Sequence, residues 1–331
     1  MTATMDRHRV SALLQAASGR RIAVIGDAML DVYLSGDVDR ISPEAPVPVV
    51  RVRHRKLALG GAANVAQNVA AIGARCDLVA AVGPDSAGTE LRGMLRMNCN
   101  SDDAMVVVKR CTTQKTRILA RSQQLVRVDE EEDADLSGSE VEAVLDSVRR
   151  TIAVADAVVL EDYNKGVLPV AVITEVLRLT VERRLPVVVD PKYRNFFAYR
   201  GATIFKPNRR ELEAALGAAV DLDHPETMPL TLERLGVEHI LLTLGDQGMV
   251  LFSEHGEVVR VPTVAREVYD VVGAGDTVTA YLATILAAGG TPAEAAVIAN
   301  VAAGIEVGKL GAASVSPVEL LEYMEAHRLH D

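Results

Sequence analysis

The chain has 331 residues, of which 49% are hydrophobic and 24% are charged, and its formal net charge is −10. This length is enough to bury one large α/β core or two smaller ones. The acidic balance argues against a general nucleic-acid binder or a membrane-surface protein. Such a chain can still act on phosphorylated substrates, provided that Lys, Arg and backbone N–H groups form local anion sites.

The cysteines and the hydropathy pattern exclude further classes. Cys76, Cys99 and Cys111 show no CxxC pairing, which argues against a disulfide framework and against a zinc site. The first residues contain no apolar signal-peptide core, and no apolar run reaches the length of a membrane span. We therefore expect a cytosolic protein.

The order of predicted elements favours an α/β fold. A strand is predicted at 22–26 after a short amphipathic stretch at 10–17. Residues 33–59 and 104–129 instead show polar, partly alternating patterns, with strand-like runs at 105–108, 116–120 and 125–128 in the second segment. We expect these two insertions to form a small β-sheet layer that acts as a lid.

Elsewhere strands and helices alternate. Helices are predicted at 62–72, 139–154, 170–184, 210–216, 276–288, 292–307 and 317–327, and strands at 78–82, 157–160, 186–190 and 240–244, with a hairpin at 249–261. This alternation is typical of a central, mostly parallel sheet flanked by helices. We expect one domain that spans residues 1–331.

The segment DVVGAGDT at 270–277 lies directly ahead of an apolar helix. The small residues Gly273, Ala274 and Gly275 allow a ligand to approach the backbone, and the free N–H groups of the first helical turn suit an anion. Asp276 could take a proton from an attacking hydroxyl. The alternative is that Asp276 only caps the helix and that the glycines form a tight turn.

Two further groups of residues suit a sugar. Gly60 and Gly61 open the helix that carries Asn64, whose amide offers both a donor and an acceptor to sugar hydroxyls. Asp27 and Asp31 follow the first strand and could accept hydrogen bonds from vicinal hydroxyls. Either carboxylate could instead be a simple cap, and a Gly-Gly pair before a helix is often only a turn.

Candidate nucleotide contacts come later in the chain. Asn208 and Glu211 stand three residues apart at the start of a helix, a spacing that fits phosphate and magnesium binding and fits a capping box equally well. Thr243, Gly245 and Gly248 form a strand-end turn that could hold nucleotide phosphates, although alone it indicates a hairpin. No GxxxxGK(S/T) segment is present, and no GxGxxG follows the first strand, which excludes a P-loop enzyme and argues against a dinucleotide-binding unit.

Polar residues also follow two other predicted strands. Asp162 and Lys165 come after one of them, and Lys192 comes after the next. In open α/β sheets this edge binds ligands. The lysines are therefore candidate phosphate contacts, with an ordinary surface lysine as the alternative.

Together and in this order, the Gly60-Gly61 pair with Asn64, Asn208 with Glu211, and the segment Gly273 to Asp276 resemble the ribokinase family of carbohydrate kinases, also called the PfkB family. The similarity runs from end to end. The segments GDAMLD at 26–31, RISPEAPVPV at 40–49, QQL at 123–125 and GKLG at 308–311 resemble, within that family, the heptose-7-phosphate kinases of lipopolysaccharide core synthesis. Many of those kinases are fused to an adenylyltransferase domain, and this chain is similar to the stand-alone form.

The resemblance implies a reaction and its partners. ATP would phosphorylate D-glycero-β-D-manno-heptose 7-phosphate at O1, on the way to ADP-heptose. It also implies a ribokinase-like sheet flanked by helices, with a β lid through which two copies form a homodimer. Magnesium, and a monovalent cation such as K⁺ near the anion-binding loop with Asp270 as an indirect contributor, would accompany ATP. A related kinase for another sugar, sugar phosphate or nucleoside, and a catalytically silent binding subunit, remain as alternatives.

The resemblance also implies residue roles. Asp276 is the base, and the N–H groups of Ala274, Gly275 and Asp276, in the turn begun by Gly273, form the anion hole. Asn208 and Glu211 serve the ATP phosphates and hydrated magnesium, with Glu211 acting through water. The nucleotide cleft is lined by Thr243, Gly245, Gly248 and Asn300. The sugar is held by Asp27, Gly60, Gly61 and Asn64, with Asp31 and Asp162 as further candidates. The 7-phosphate candidates are Lys165, Lys192, Arg117 and Arg121. Two positions, Val272 and Lys206, depart from the Thr that related kinases carry there.

Overall fold

The computed structural model describes residues 5–99, 104–121, 123–265, 268–309 and 311–327. Leu310, in the segment at 308–311, therefore lies outside the described residues. The strands are β1 Arg21–Gly26, β2 Ala28–Ile41, β3 Pro48–Gly61, β4 Arg75–Val79, β5 Ala81–Val82, β6 Val106–Val107, β7 Gln114–Ala120, β8 Gln123–Glu130, β9 Ala157–Glu161, β10 Val187–Asp190, β11 Ile204–Phe205, β12 His239–Thr243, β13 Met249–Ser253 and β14 Val258–Val261. The helices are α1 Arg7–Ala17, α2 Ala62–Ile72, α3 Ser86–Cys99, α4 Ser139–Ile152, α5 Val170–Arg183, α6 Arg209–Leu216, α7 Met228–Leu235, α8 Ala274–Ala287, α9 Pro292–Glu306 and α10 Pro317–His327.

The central sheet has eight strands in the order β14-β13-β12-β11-β10-β9-β1-β4. The neighbouring strands β4, β1, β9, β10, β11 and β12 are mutually parallel, and most of their connections contain helices, whereas β13 and β14 are antiparallel and follow β12 through short turns. The buried strands β9 and β10 read as continuous apolar runs. The expected mostly parallel α/β sheet is confirmed.

Apolar side chains are buried on both faces of this sheet. One face is covered by α1, α2, α8, α9 and α10, and the other by α4, α5, α6 and α7. The buried positions of α5 recur at helical spacing, whereas α8 is buried at every position from Asp276 to Ile285 and is therefore a central helix of its layer. No helix of the described residues is both long enough and apolar enough to cross a membrane.

A second sheet of four strands, in the order β3-β2-β7-β8, forms a separate layer. The outer halves of β2 and β3 and all of β8 are largely exposed. The predicted β layer is therefore present, but its second part begins later than expected. The strand-like run at 105–108 does not join it, because β6 pairs in parallel with β5. The structure also contains α3 and α7, which the sequence pattern did not predict.

The topology places the carboxyl ends of several strands at one edge of the central sheet. β1, β9, β10, β11 and β12 all point their carboxyl ends the same way, and α2, α6 and α8 begin on that side. The polar residues that follow these strands consequently lie close together, as is usual for ligand sites of open α/β sheets.

Candidate active site

Asp276 lies in the first turn of α8, and its carboxylate points inward. The N-cap of α8 is Gly273, whose φ of +97° favours glycine, and no side chain caps this end. Asp276 is only 5% exposed. Its Oδ2 accepts a hydrogen bond from Asn64 Nδ2 at 2.7 Å, and its Oδ1 accepts one from the Tyr163 hydroxyl at 2.9 Å. A role limited to helix capping does not account for these partners.

The environment of Asp276 changes the acidity of its carboxyl. Burial raises the pKa of its carboxyl to about 6 from the ordinary 3.8, and the nearby charge of Asp190 acts in the same direction, whereas the Asn64 hydrogen bond opposes the rise. A carboxyl with this pKa is ionised at neutral pH and still basic enough to take a proton. In the first turn of α8, the Ala274 N–H makes a long hydrogen bond, of 3.5 Å, to the Val271 carbonyl. The Gly275 and Asp276 N–H groups lie at the helix start, where no carbonyl one turn earlier is available within the helix, which leaves them for an anion.

Two more carboxyls and a lysine lie behind α8. Glu161, Asp190 and Asp276 each place an oxygen within 4.8 Å of the other two. Lys206 Nζ donates to Asp190 Oδ2 at 2.7 Å. Burial works against the Lys206 ammonium, but the charges of Asp190 and Glu161 outweigh it and raise its pKa. No role was predicted for Glu161, Asp190 or Lys206 from the sequence, because only the fold brings them to Asp276.

Asn64, on α2, is the predicted sugar residue that contacts Asp276 directly. Its position depends on the β3–α2 junction, where Gly61 has a φ of +56° and a Cβ added to it would lie 2.4 Å from the Asp27 carbonyl oxygen. The amide of Asn68 donates to Asn64 Oδ1 at 3.3 Å and to the Asn64 carbonyl at 3.0 Å. Gly60 and Gly61 thus allow the close packing that presents Asn64 to the base.

Asp27 and Asp162, both expected to hold the sugar, are occupied by protein groups. The Asp27 carboxylate is buried and accepts backbone N–H bonds from Tyr163 at 2.8 Å, Lys165 at 2.9 Å and Val167 at 3.1 Å. Burial nevertheless raises the pKa of Asp27 to about 6. The Asp162 carboxylate accepts from the Asn164 N–H and the Tyr199 hydroxyl, each at 2.7 Å. These contacts differ from the expected sugar contacts, because the tight loop after β9 needs acceptors for its own N–H groups.

Asp31 and Arg117 meet where the two sheets adjoin. Arg117 Nη1 donates to Asp31 Oδ1 at 2.6 Å, and its guanidinium lies 5.2 Å from the Tyr33 ring centroid. The structure therefore brings a sugar candidate and a phosphate candidate together. It does not bring Arg121 there, since Arg121 is exposed in the turn after β7, about 13 Å further along the strand direction at 3.3 Å per residue.

The two candidate lysines point to different places. Lys165 Nζ donates to Glu131 Oε1 at 2.8 Å, next to the second sheet. Lys192 instead bonds the Glu211 carboxylate, and its ammonium lies 5.2 Å from the Tyr163 ring centroid. Lys192 thus lies on the Glu211 side of the site, whereas Lys165 lies on the side of the second sheet.

Asn208 and Glu211 form a reciprocal capping box at the start of α6. Asn208 Oδ1 accepts the Glu211 N–H, and Glu211 Oε2 accepts the Asn208 N–H, each at 2.9 Å. The capping interpretation of their spacing is therefore correct. It does not exclude phosphate and magnesium binding, because the box holds Asn208 at the border of a cavity and leaves the second Glu211 oxygen to Lys192.

A cavity of about 380 Å³ lies beside α8. Its lining includes all four predicted cleft residues, which are Thr243, Gly245, Gly248 and Asn300. It also includes Asn208 and the anion-hole candidates Ala274 and Gly275. Its opposite wall is apolar and includes Val268, Val271 and Val307, which the sequence analysis missed because single valines carry no motif. Apolar walls with free N–H groups at one end suit a nucleotide, with its base among the valines and its phosphates at α8.

Two more acidic residues lie at the start of α8, one in the loop before it and one on α9. Asp270 Oδ1 accepts the Val272 N–H at 3.0 Å, which shapes the turn that leads to Gly273. Glu306, on α9, is buried, and burial raises the pKa of its carboxyl to about 8. A Cβ added to Gly273 would lie 3.2 Å from Glu306 Oε1 and 3.0 Å from Asn64 Nδ2, so Glu306 packs directly under the anion-binding loop.

Comparisons with known proteins agree with this geometry. Residues 20–319 match the sequence profile of the pfkB family carbohydrate kinases. The protein called bifunctional protein HldE from Rhodospirillum rubrum is 45% identical over 304 residues, which cover 91% of this chain and 61% of that protein. The protein of the same name from Shewanella piezotolerans is also 45% identical, over 93% of this chain and 64% of that protein. This chain thus spans less than two thirds of the length of these relatives.

Solved structures show the same fold at low identity. A ribokinase from Arabidopsis thaliana, in complex with ribose and ATP, superposes with a TM-score of 0.72 at 20% identity and covers 93% of this chain and 99% of that one. Phosphofructokinase-2 from Escherichia coli, in complex with potassium, has a TM-score of 0.76 at 18% identity and covers 94% and 100%. The match of the family profile over most of the chain, on a ribokinase-like fold with a buried carboxylate at the start of α8, establishes that this protein belongs to the pfkB family of carbohydrate kinases.

Proposed function

We propose that this kinase uses ATP to phosphorylate D-glycero-β-D-manno-heptose 7-phosphate at O1, in the synthesis of ADP-heptose for lipopolysaccharide. The observation that carries the choice of sugar is the 45% identity, over 91% of the chain, to a protein named HldE. The heptose-kinase-like segments at 26–31 and 40–49 support the same choice. A cytoplasmic location, where ATP and sugar phosphates are available, belongs to this proposal.

Asp276 performs the proton transfer in this proposal. Its carboxylate takes the O1 proton while O1 forms a bond to the γ-phosphorus and the bond between that phosphorus and the β–γ bridging oxygen breaks, which releases ADP. Asn64 and Tyr163 orient the carboxylate through their hydrogen bonds. The N–H groups of Ala274, Gly275 and Asp276 stabilise the charge on the transferred group.

Residues on the nucleotide side hold ATP and its metal. When bound, ATP supplies the phosphoryl group, and its base lies in the cavity lined by Thr243, Gly248 and Asn300. Asn208 faces the phosphates, and Glu211 binds hydrated Mg²⁺ through water, which requires Lys192 to share or release the Glu211 carboxylate. A monovalent cation such as K⁺ beside the loop at 270–273, with Asp270 as an indirect contributor, completes the set.

Residues on the sugar side form the other wall. The reacting hydroxyl is bordered by Asn64, which contacts Asp276, and by Gly60 and Gly61 at the end of β3. Asp31, with its partner Arg117, lies at the junction with the second sheet. We assign the 7-phosphate to the basic side chains on this side, Arg117 and Lys165, rather than to Lys192.

The four-stranded sheet is the proposed dimer surface and lid. Several apolar side chains of this sheet and its β2–β3 loop are exposed to solvent in the monomer. They are Val38, Ile41, Val47, Val52, Leu125, Val126 and Val128. Pairing with a second copy would bury these side chains and protect the strand edges. Analytical ultracentrifugation of Val126→Lys against the wild type tests this, since a dimer through this sheet should weaken.

Coupled ADP release with a panel of acceptors tests the substrate. Heptose 7-phosphate should give a far higher kcat/KM than fructose 6-phosphate, ribose or a nucleoside. Turnover confined to fructose 6-phosphate would overturn the heptose assignment while keeping the kinase. No sugar-dependent ADP release with any acceptor would favour a silent member of the family.

A further inference from the structure

Lys206 is a buried cation directly behind the catalytic helix. It follows β11, is 4% exposed, and its Nζ donates to Asp190 Oδ2 at 2.7 Å. A Cβ atom added to Gly275 would lie 3.7 Å from Lys206 Nζ and 3.9 Å from Asp190 Oδ2. The ion pair is therefore packed against the first turn of α8, one residue before Asp276.

Three carboxyls share this space. Glu161, Asp190 and Asp276 have oxygens within 4.8 Å of one another, and neither carboxylate oxygen of Glu161 has a hydrogen-bond partner among the described residues. An ionised carboxylate buried without partners is strongly unfavourable, and burial raises the pKa of Glu161 well above its ordinary value. Burial therefore favours the neutral form of Glu161, and Asp190 is the carboxylate that the Lys206 ammonium contacts directly.

The other groups that face Asp276 come from several elements. Asn64 on α2 and Tyr163 after β9 donate hydrogen bonds, Glu306 on α9 interacts at longer range, and Lys192 after β10 faces Glu161. Within this set, Lys206 lowers the pKa of Asp276, whereas Asp190 raises it. The two members of the ion pair thus act on the base in opposite directions.

We propose that Lys206 is a positioning residue for the kinase reaction: paired with Asp190, its ammonium offsets the negative charge behind α8 and keeps the Asp276 carboxylate ready to accept a proton. The inference rests on the proposed role of Asp276 as the base. It requires no contact between Lys206 and either substrate, and it gives a function to a position at which the resemblance had indicated only a departure from Thr.

The size of the effect follows from the distances. Lys206 Nζ is 2.7 Å from Asp190, whose cluster oxygen is within 4.8 Å of that of Asp276. Unit charges about 7 Å apart in a medium of effective dielectric about 20 shift a pKa by about 1.7 units. Removal of the ammonium should therefore raise the pKa of Asp276 by about 1 to 2 units.

The experiment measures kcat/KM from pH 5 to 9, with whichever acceptor gives the highest turnover, for four variants. Lys206→Met should move the acidic limb to higher pH by about 1 to 2 units, and Asp190→Asn should move it to lower pH. The double variant, which removes both charges, should return close to the wild-type limb, and Lys206→Arg should keep it. Lys115→Met, which removes a lysine paired with Asp129 and Glu131 away from the cluster, is the matched control and should leave the limb in place.

A second readout does not depend on turnover. The Asp276 carboxyl carbon, labelled with ¹³C and assigned by comparison with Asp276→Asn, can be titrated by NMR in the free protein, so a wrong substrate assignment cannot hide the shift. If Lys206→Met does not fold, Asp190→Asn and the double variant still test the sign. Lost activity with an unmoved Asp276 titration, or shifts of the same sign in Lys206→Met and Asp190→Asn, would overturn the proposal.

Discussion

Replacement of Asp276 by Asn tests whether the carboxylate is a buried base whose charge opposes folding. Asn keeps the size of the side chain but carries no charge at any pH. Burial raises the pKa of Asp276 to about 6, so the folded protein ionises this carboxyl less readily than the unfolded chain does. The variant should therefore be more stable than the wild type at neutral pH while losing activity.

Linkage fixes the sign and the size of the stability change. A carboxyl whose folded-state pKa exceeds its unfolded value contributes stability that is fully present below the unfolded pKa and is lost as the pH rises through the folded pKa. With values of 3.8 and about 6, ionisation of Asp276 lowers the free energy of unfolding by about 1.6 kcal/mol at pH 5 and about 3 kcal/mol at pH 8. The advantage of Asp276→Asn should thus be about 1.4 kcal/mol larger at pH 8 than at pH 5.

Urea unfolding of both proteins at pH 5, 6, 7 and 8 measures this difference. Differences in hydrogen bonding to Asn64 and Tyr163 add an offset that does not change with pH, so the slope is the diagnostic quantity. Asp39→Asn, at an exposed carboxyl of β2 that is paired with Arg51, is the matched control and should show no such slope. A stability difference that is constant across this pH range would refute the description of Asp276 as a buried carboxylate with a raised pKa.

The same variant has a kinetic signature. Loss of a general base lowers kcat by roughly 10²–10⁴-fold, and the KM for ATP should change little because the cavity residues remain. In the wild type, kcat/KM should fall below about pH 6 as Asp276 gains its proton. Near-normal turnover of Asp276→Asn would remove Asp276 from the role of base.

Asn64→Ala should raise the sugar KM far more than the ATP KM, and equal effects on the two KM values would argue against a sugar-side contact. Because the Asn64 amide lowers the pKa of Asp276, the same variant should move the acidic limb of kcat/KM to higher pH. Asn208→Ala should raise the ATP KM and, because it removes the α6 cap, lower the free energy of unfolding by about 1 kcal/mol, whereas Asn208→Asp, which keeps an acceptor for the Glu211 N–H, should retain the stability. Gly61→Ala should destabilise the protein by more than about 1 kcal/mol in thermal or urea unfolding, since Gly61 has a positive φ and an added Cβ would lie 2.4 Å from the Asp27 carbonyl oxygen. Gly93→Ala, where an added Cβ meets nothing within 4 Å, should not destabilise the protein in this way.

Local patterns were sufficient for much of the fold. The apolar runs of β1, β9 and β10 and the caps of α2 and α10 are properties of contiguous residues, so their predicted bounds lie within one or two residues of the observed ones. α3 was missed because Gly88 and Gly93 interrupt its helical pattern, and its buried leucines are only two. α7 was missed because it has eight residues and carries Pro229 in its first turn.

The site was predictable where a motif is contiguous and obscure where it depends on partners far along the chain. Asp276, Asn208 and the strand-end glycines belong to short contiguous segments, so the sequence alone names them as candidates. The contacts of Asp276 with Asn64 and Tyr163 join residues 212 and 113 positions apart, and no spacing rule predicts them. Lys206 was visible only as a residue type, since its meaning depends on Asp190 across the neighbouring strand.

Asp27 shows how a residue can support the candidate site through backbone contacts. Its carboxylate follows β1 and binds three N–H groups of the loop after β9, which fixes the backbone at Tyr163. The Tyr163 hydroxyl in turn donates to Asp276 Oδ1. Asp27 therefore affects the position of the Asp276 carboxylate through the loop that carries Tyr163. Gly61, which precedes the helix of Asn64, packs closely against the carbonyl of the same Asp27. The donors of both hydrogen bonds to Asp276, Asn64 and Tyr163, thus belong to segments that contact Asp27, between β1 and β2. A change in the packing of the two sheets at this junction should therefore also change the orientation of the Asp276 carboxylate.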